Sequence, residues 1–167
     1  APGAFEGTLR ELLTAWRELI GPRRIEPWDH WYVCGGASRR LDRHIPQSRL
    51  LELNHAYVRS LGADPGALDI TYDVIPRPDR PPVAAAFTMG MGALAAGQPR
   101  SGPWTPRPPW VFATYATGGL GNLVELLHET GHALHSAATR TRPAFLELPN
   151  EDTGYGEGIA DFLGWDA

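Results

Sequence analysis

The order of helical and strand-like patterns predicts a predominantly helical α+β domain. Amphipathic helical patterns come first, three short strand-like runs lie in the middle, and an apolar helical pattern rich in histidine follows them. The chain has 167 residues and no internal repeat, which suits one domain with a single hydrophobic core. We therefore predict a single domain over residues 1–167, in which a small antiparallel or mixed sheet packs on the histidine-rich helix.

Two amphipathic helices are predicted before the strands. Residues 4–20 carry apolar side chains at helical spacing until a Gly-Pro pair ends the pattern. Residues 48–62 form a second pattern of this kind, which Gly62 closes. Between the two, the segment EPWDHWYV (26–33) predicts an aromatic turn or a short helix that begins with proline.

Three strand-like runs follow, each bounded by proline or glycine: residues 68–75, 83–90 and 108–116. The segment 97–109 is rich in proline and glycine, shows no periodicity and is predicted to be a loop. The strands are thus predicted to be short and to lie between the two groups of helices.

The histidine-rich helix is predicted over LVELLHETGHALHSAA (123–138), after the glycine-rich turn TGGLGN. This otherwise apolar run contains three histidines and two glutamates. A buried imidazole or carboxylate must be paired, hydrogen-bonded or bound to metal. An irregular acidic stretch follows at 142–156, and a last helix is predicted to begin at Glu157.

His128 and His132 are four residues apart, so they project from the same face of a helix about one turn apart. Two imidazoles placed in this way can bind one Zn²⁺, and Glu129 is then positioned to act on a water molecule, as in the H-E-x-x-H motif. The alternative is a solvated helix face or a pair of hydrogen-bonded core histidines. We predict a metal site in which Glu129 is the general base rather than a ligand.

A catalytic zinc needs three protein ligands and an open position. Glu157 is the best placed third ligand, because EGIADFLGW is helical in character. Asp161 lies at i+4 from Glu157 and is predicted to hydrogen-bond the outer nitrogen of a ligand histidine, with a plain surface carboxylate as the alternative. The remaining acidic candidates lie among Pro, Asn and Gly residues and are more typical of a loop surface: Glu147, Glu151 and Asp152.

His135 lies seven residues from His128, which is about 10 Å along a helix axis. Metal–ligand bonds are only about 2 Å long, so one ion is not easily shared across that distance. We therefore predict a supporting hydrogen bond or a packing role for His135.

The segment HETGHALH resembles the H-E-F-G-H-x-x-H helix of the thimet oligopeptidase and oligopeptidase F family of zinc metallopeptidases. Three upstream segments also resemble that family in its order: EPWDHWY, TYDVIPRPDRPPVAAAF and RPPWVFATYATGG. In the family, the third ligand is a Glu that lies 25 residues past the second His, which is the spacing from His132 to Glu157. The resemblance extends over about residues 26 to 165.

The resemblance implies a zincin-like (gluzincin) catalytic domain that hydrolyses peptide bonds with one Zn²⁺. The metal ligands would be His128, His132 and Glu157, with Glu129 as the base. It also implies that the strand WVFATYA is a sheet edge on which a peptide lies by β-augmentation, although an interior strand is equally compatible with the pattern. The residues that would contact the peptide are Phe112, Ala113, Thr114, Gly118 and Gly119, the two glycines being explained equally well by a plain turn.

The chain also departs from the family pattern. The family usually has Pro-Ser soon after the ligand Glu, whereas EGIAD is similar to the E-x-x-x-D helix of thermolysin-like enzymes, which implies that Asp161 partners His128. Family members continue further and supply a Tyr and a His that stabilise the oxyanion, for which Tyr115 and Tyr155 are the only candidates we single out here. The alternatives are therefore a zinc-binding domain that does not catalyse, a fragment that packs against the remainder of its polypeptide, or a zinc-free helical interaction module.

Composition limits the partners. A net charge of −4 gives no support for nucleic-acid binding, and no apolar run approaches the roughly 20 residues of a membrane-spanning helix. The single Cys34 excludes an internal disulfide and favours a reducing, cytoplasmic location. The chain begins with Ala1 and stops within a helical pattern, so we expect a fragment of a longer protein.

Overall fold

The computed structural model describes residues 2–20, 26, 35–36, 38, 40–90, 92–93, 105–106, 108–138 and 153–165. The chain separates into two compact units, Ala1–Arg43 and His44–Ala167. The first unit contains helix α1, Pro2–Ile20, as the amphipathic pattern predicts. The aromatic segment predicted at 26–33 lies, apart from Glu26, outside the described residues.

Within its described residues, the second unit contains three helices and five short strands. The helices are α2 (Leu50–Ser60), α3 (Leu120–Ala138) and α4 (Thr153–Trp165), and a single 3₁₀ turn spans Gln47–Arg49. Another 3₁₀ turn, Asp42–His44, includes the last two residues of the first unit. The strands are β1 (Thr71–Asp73), β2 (Phe87–Met89), β3 (Gly92–Ala93), β4 (Thr105–Pro106) and β5 (Trp110–Phe112). The predicted fold class, α+β and mostly helical with a small mixed sheet, is confirmed.

Three strands form the main sheet in the order β1-β5-β2. Strand β5 is parallel to β1 and antiparallel to β2, and each of these strands lies inside one of the three predicted runs. The other two strands, β3 and β4, pair antiparallel. Because β4 falls within 97–109, the prediction of an irregular loop is wrong at Thr105–Pro106, where pairing with a distant segment creates structure that no local pattern reveals.

Helix α2 ends at a glycine turn, as predicted. Gly62 has a φ of 94°, which side chains with a Cβ rarely adopt. Its N–H donates to the carbonyl of Arg59, and the N–H of Ala63 donates to the carbonyl of Val58. This pair of bonds is the Schellman arrangement, which satisfies carbonyl groups that the end of a helix would otherwise leave unpaired.

The core lies between α3 and one face of the main sheet. Val111, at the centre of β5, is fully buried together with Leu126 and Ala133 of α3. Successive side chains of a strand point to opposite faces of the sheet, and residues paired across strands point to the same face. Tyr72 on β1 and Thr88 on β2 are paired with Val111, so they share its inner face, the one that meets α3. Burying a side chain of this size contributes about 1.5–3 kcal/mol, and these contacts fix the position of α3 on the sheet.

The opposite, outer face of the sheet is aromatic. The ring of Phe112 stacks on Phe87 at a centroid distance of 5.0 Å and on Trp110 at 5.7 Å.

None of the helices in the described part of the chain is both long and apolar enough to cross a membrane.

Candidate metal centre

Helix α3 brings two imidazole nitrogens together. The Nε2 atoms of His128 and His132 are 3.1 Å apart, and the rings meet edge to face with a centroid distance of 4.8 Å. Both side chains are 23% exposed, so they are partly shielded but accessible to a small ligand. Four-residue spacing on a helix produces this approach, as the sequence predicts.

Helix α4 brings a carboxylate to the same point. Oε2 of Glu157 lies 3.2 Å from Nε2 of His128 and 3.5 Å from Nε2 of His132. These three atoms form a triangle with edges of 3.1–3.5 Å. Zinc bonds of about 2.1 Å at tetrahedral angles place ligand atoms about 3.4 Å apart. The triangle therefore has the dimensions of one face of a zinc tetrahedron, and within the described residues these three side chains are the group that could hold a metal ion.

Asp161 sets the hydrogen-bonding state of His128. Its Oδ1 atom lies 2.9 Å from Nδ1 of His128. A carboxylate accepts, so Nδ1–H donates the hydrogen bond, and when the ring is neutral its Nε2 atom presents a lone pair to His132 and Glu157. When His132 also presents the lone pair of its Nε2 atom, the three atoms repel one another unless a proton or a cation lies among them. The donor set and its tautomer thus suit a cation such as Zn²⁺.

Two glycines allow α3 and α4 to approach closely. A β-carbon added at Gly131 would lie 2.7 Å from Cα of Ala160, and one added at Gly164 would lie 3.3 Å from Cβ of His128. The contacting residues run in opposite directions along the two helices, so the pair is antiparallel. Ala160 lies between Glu157 and Asp161, and the contact at Gly131 therefore sets how near both carboxylates come to the histidines.

Helix α4 begins at Thr153, four residues before the predicted start. Gly154 and Gly156 lower the intrinsic helix propensity of this turn by roughly 1 kcal/mol each, which obscures the pattern in the sequence. Packing against α3 outweighs that cost. The extra turn places Glu157 within the helix rather than at its frayed end.

Glu129 lies outside the three-residue group and is 7% exposed. Its Oε2 atom is 2.8 Å from the hydroxyl of Thr88, which is also 2.8 Å from the main-chain oxygen of Glu129. The sequence patterns did not predict this contact of Thr88. The only signal for it is a polar residue at the centre of an otherwise apolar strand.

The next residue, Thr130, belongs to a buried polar network. Its hydroxyl lies 2.8 Å from the main-chain oxygen of Leu126 and 3.0 Å from Oδ1 of Asn54, both acceptors for its single proton. It also lies 3.2 Å from the hydroxyl of Tyr72, which accepts from the amide of Asn54 at 3.4 Å. Asn54 and Thr130 are fully buried, and burial raises the pKa of Tyr72 although both hydrogen bonds oppose this. The network fixes α3 against α2 and β1, and no sequence pattern indicates its members.

The remaining predicted site residues have other surroundings. The ring of His135 packs edge to face on Tyr155 at a centroid distance of 5.6 Å, and His135 is not part of the three-residue metal group. Tyr115 is 3% exposed, and its hydroxyl has no hydrogen-bond partner among the described residues. Burial raises the pKa of Tyr115 far above its ordinary value. Glu147, Glu151 and Asp152 lie outside the described residues.

The interpretation of β5 as a sheet edge is wrong. Strand β5 is the central strand and pairs on both sides. Past its end, the N–H of Ala113 donates to Asp73, and the hydroxyl of Thr114 accepts from the N–H of Val83. These bonds, and the stacking of Phe112, occupy the groups that were expected to meet a peptide. A partner strand more than thirty residues away, β1, creates this arrangement, and no local pattern predicts it.

The glycine turn before α3 also has an internal role. A β-carbon at Gly118 would overlap the main chain of Ile45, Pro46 and Gln47. Gly119 has a φ of 110°, and its N–H donates to the carbonyl of Ile45 at 2.8 Å. Gly118 and Gly119 therefore pack on residues 45–47, a role that a plain turn also has, and their contact with a peptide stays a prediction.

A pocket of about 850 Å³ opens on the outer face of the sheet, lined by residues that include Ile70, Met89, Trp110 and Phe112. None of its lining residues belongs to the metal group.

Comparison of the chain with protein-family models, with curated proteins and with solved structures found no match.

Proposed function

We propose that this protein is a zinc-dependent peptidase. The observation that carries the proposal is the triangle formed by His128, His132 and Glu157, with Asp161 holding the outer nitrogen of His128. A glutamate at the position after the first histidine adds the group that distinguishes a hydrolytic site from a purely structural one. The resemblance of HETGHALH and three upstream segments to zinc oligopeptidases supports the same reaction.

The metal ligands would be Nε2 of His128, Nε2 of His132 and Oε2 of Glu157. When bound there, Zn²⁺ supplies Lewis acidity, which activates water near neutral pH and polarises the scissile carbonyl. Asp161 accepts a hydrogen bond from Nδ1–H of His128, which would keep the lone pair of Nε2 available to the ion and make the ring a better ligand.

Glu129 moves the proton. Its carboxylate accepts a proton from the attacking water and delivers it to the amine nitrogen that leaves. With only 7% of the residue exposed, few competing waters can reach the carboxylate. The hydrogen bond from Thr88 holds one of its oxygens in place while the other is available for the transfer.

The peptide is best accommodated on β2. Among the described residues, no strand pairs with the side of β2 that faces away from β5. A peptide added there would form main-chain hydrogen bonds beside α3, in the binding mode called β-augmentation. Because Thr88 of β2 contacts Glu129, that edge passes directly beside the proposed base.

The test compares Glu129→Gln with a matched control on the same helix. Glu125 is exposed and lies one turn before Glu129, so Glu125→Gln should retain both zinc and activity. The wild-type protein should cleave a quenched fluorescent peptide, and Glu129→Gln should bind one zinc per chain but lose at least about 100-fold in kcat, since general-base catalysis contributes 10²–10⁴-fold. Zinc is measured by elemental analysis after dialysis.

The second candidate is a zinc-binding domain that does not catalyse. It is favoured by the surroundings of Tyr115, one of the two tyrosines singled out as oxyanion donors, because this residue is buried in the core. A wild-type protein that holds one zinc yet cleaves no faster than Glu129→Gln would establish this candidate and contradict the peptidase. A protein that binds no zinc would contradict both.

A further inference from the structure

We propose that Thr88 is a positioning residue for Glu129, a role that rests on the proposed peptidase function. It acts by donating its hydroxyl proton to Oε2 of the carboxylate at 2.8 Å. The contact links two elements that are 41 residues apart in the chain, the edge strand β2 and the helix that carries the metal ligands. The sheet, rather than α3 itself, therefore orients the carboxylate of Glu129.

The pairing register brings Thr88 to this position. Tyr72, Val111 and Thr88 form one row across the three strands on the inner face. The two polar members of the row contact consecutive residues of α3, since Tyr72 meets Thr130 and Thr88 meets Glu129. A slip of one residue would point Phe87 or Met89 at the carboxylate, so the register of β2 is required for the contact.

The hydroxyl of Thr88 has one proton and two acceptors within reach, Oε2 and the main-chain oxygen of Glu129, each at 2.8 Å. A hydrogen bond to an ionised acceptor is about twice as strong as one between neutral groups, so the proton goes to Oε2 while Glu129 is a carboxylate. Oε1 accepts no hydrogen bond from the described residues, which leaves it as the oxygen that takes the proton of the attacking water.

Threonine suits this role better than a flexible donor. Its branched β-carbon restricts χ1, and the pairing of β2 with β5 fixes the main chain that carries it. The oxygen that donates is therefore held by covalent geometry and by the sheet. Positioning of this kind affects the rate, because a misplacement of about 1 Å at a reacting group costs on the order of 10²-fold.

Three substitutions test the proposal. Thr88→Val keeps the shape and removes the hydroxyl, Thr88→Ser keeps the hydroxyl, and Thr71→Val is the matched control on the outer face of β1. We expect Thr88→Val to lower kcat about 10- to 100-fold with KM and zinc content unchanged, and Thr88→Ser to restore most of the rate. Thr71→Val should behave like the wild type.

Each other outcome contradicts the proposal. An unchanged kcat in Thr88→Val would show that the hydrogen bond does not orient the base. Equal losses in Thr88→Val and Thr88→Ser, or a parallel loss of zinc, would show that the residue supports the fold instead.

A second measurement does not depend on activity. In a double-mutant cycle of Thr88→Val with Glu129→Ala, monitored by urea unfolding of the purified chain, the two effects should not add, because each removes the same bond. Additive effects would overturn the positioning role even in an active enzyme. A clear coupling in a protein that cleaves no peptide would contradict the peptidase but preserve the contact.

Discussion

The substitution Gly131→Ala should weaken zinc binding without altering any ligand. The added β-carbon would lie 2.7 Å from Cα of Ala160, whereas ordinary contacts begin at 3.4 Å. Both atoms belong to helices, and neither is the end of a flexible side chain. The two helices must therefore separate by about 0.7 Å at this point, a distance taken from the difference between those two values.

The separation acts directly on the metal triangle. Glu157 and Asp161 flank Ala160 on α4, and the distances from Oε2 of Glu157 to the two imidazoles are already 3.2 and 3.5 Å. An outward shift would take the carboxylate beyond the roughly 3.4 Å spacing of tetrahedral zinc ligands. Overpacking of a well-packed contact costs about 1–3 kcal/mol. If binding must pull the helices back together, that cost corresponds to a loss of about 5- to 150-fold in zinc affinity, at 1.4 kcal/mol for each factor of ten.

The assay is competition for zinc with a chromophoric chelator, with Gly121→Ala as the control. Gly121 lies on the same helix, and a β-carbon there would meet nothing within 4 Å. Both variants replace a glycine of α3 by alanine, and only Gly131→Ala meets α4, so the difference in zinc affinity between them reports the contact with Ala160. If Gly131→Ala binds zinc as tightly as Gly121→Ala does, the reasoning is refuted, because α4 is then not held by this contact.

Asp161→Ala should lower zinc affinity about 10- to 100-fold, because the carboxylate that orients His128 is lost. An unchanged affinity in the same chelator assay would assign Asp161 to the solvated surface. His55 packs on Tyr72, and burial, followed by the nearby Arg59, lowers its pKa below the ordinary 6.5. A lowered folded-state pKa stabilises the protein above the unfolded-state pKa, and this contribution is lost as the pH falls through the folded-state pKa. The free energy of unfolding should therefore fall as the pH is lowered from about 7. His55→Gln should reduce that fall when urea unfolding is measured at each pH. An identical pH dependence in both proteins would exclude His55 as its source.

Local patterns predicted the helices and the approach of two of the three candidate ligands. A four-residue spacing requires two helical side chains to meet, so the approach of His128 and His132 follows once α3 is helical. The position of Glu157 was predicted by a different route, its distance along the chain in the resembling family. The structure brings its carboxylate to both imidazoles through the close contact of Gly131 with Ala160, a contact between helices that the sequence does not display.

The arrangement of the strands could not be predicted in the same way. Alternation and bounding prolines locate a strand, but they carry no information about its neighbours. The expected edge, β5, is central because β1 joins it in parallel, and parallel partners are connected by long segments. For the same reason Thr88 was not identified, since its contact with Glu129 depends on the pairing of β2 with β5.

Two opposite faces of α3 contact different neighbours, as helical geometry requires. Successive residues are rotated by about 100°, so His128, Gly131 and His132 share one face, and Thr130 and Ala133 share the opposite one. The first face meets α4, which supplies Glu157 and Asp161, and the second meets the sheet and the core. Glu129 lies at the boundary, where the sheet can hold one carboxylate oxygen through Thr88 while the other remains free. A disturbance of α4 should therefore appear first in zinc affinity, and a disturbance of β2 should appear first in kcat. A single rigid helix can serve both purposes because two different neighbours position its two sets of groups.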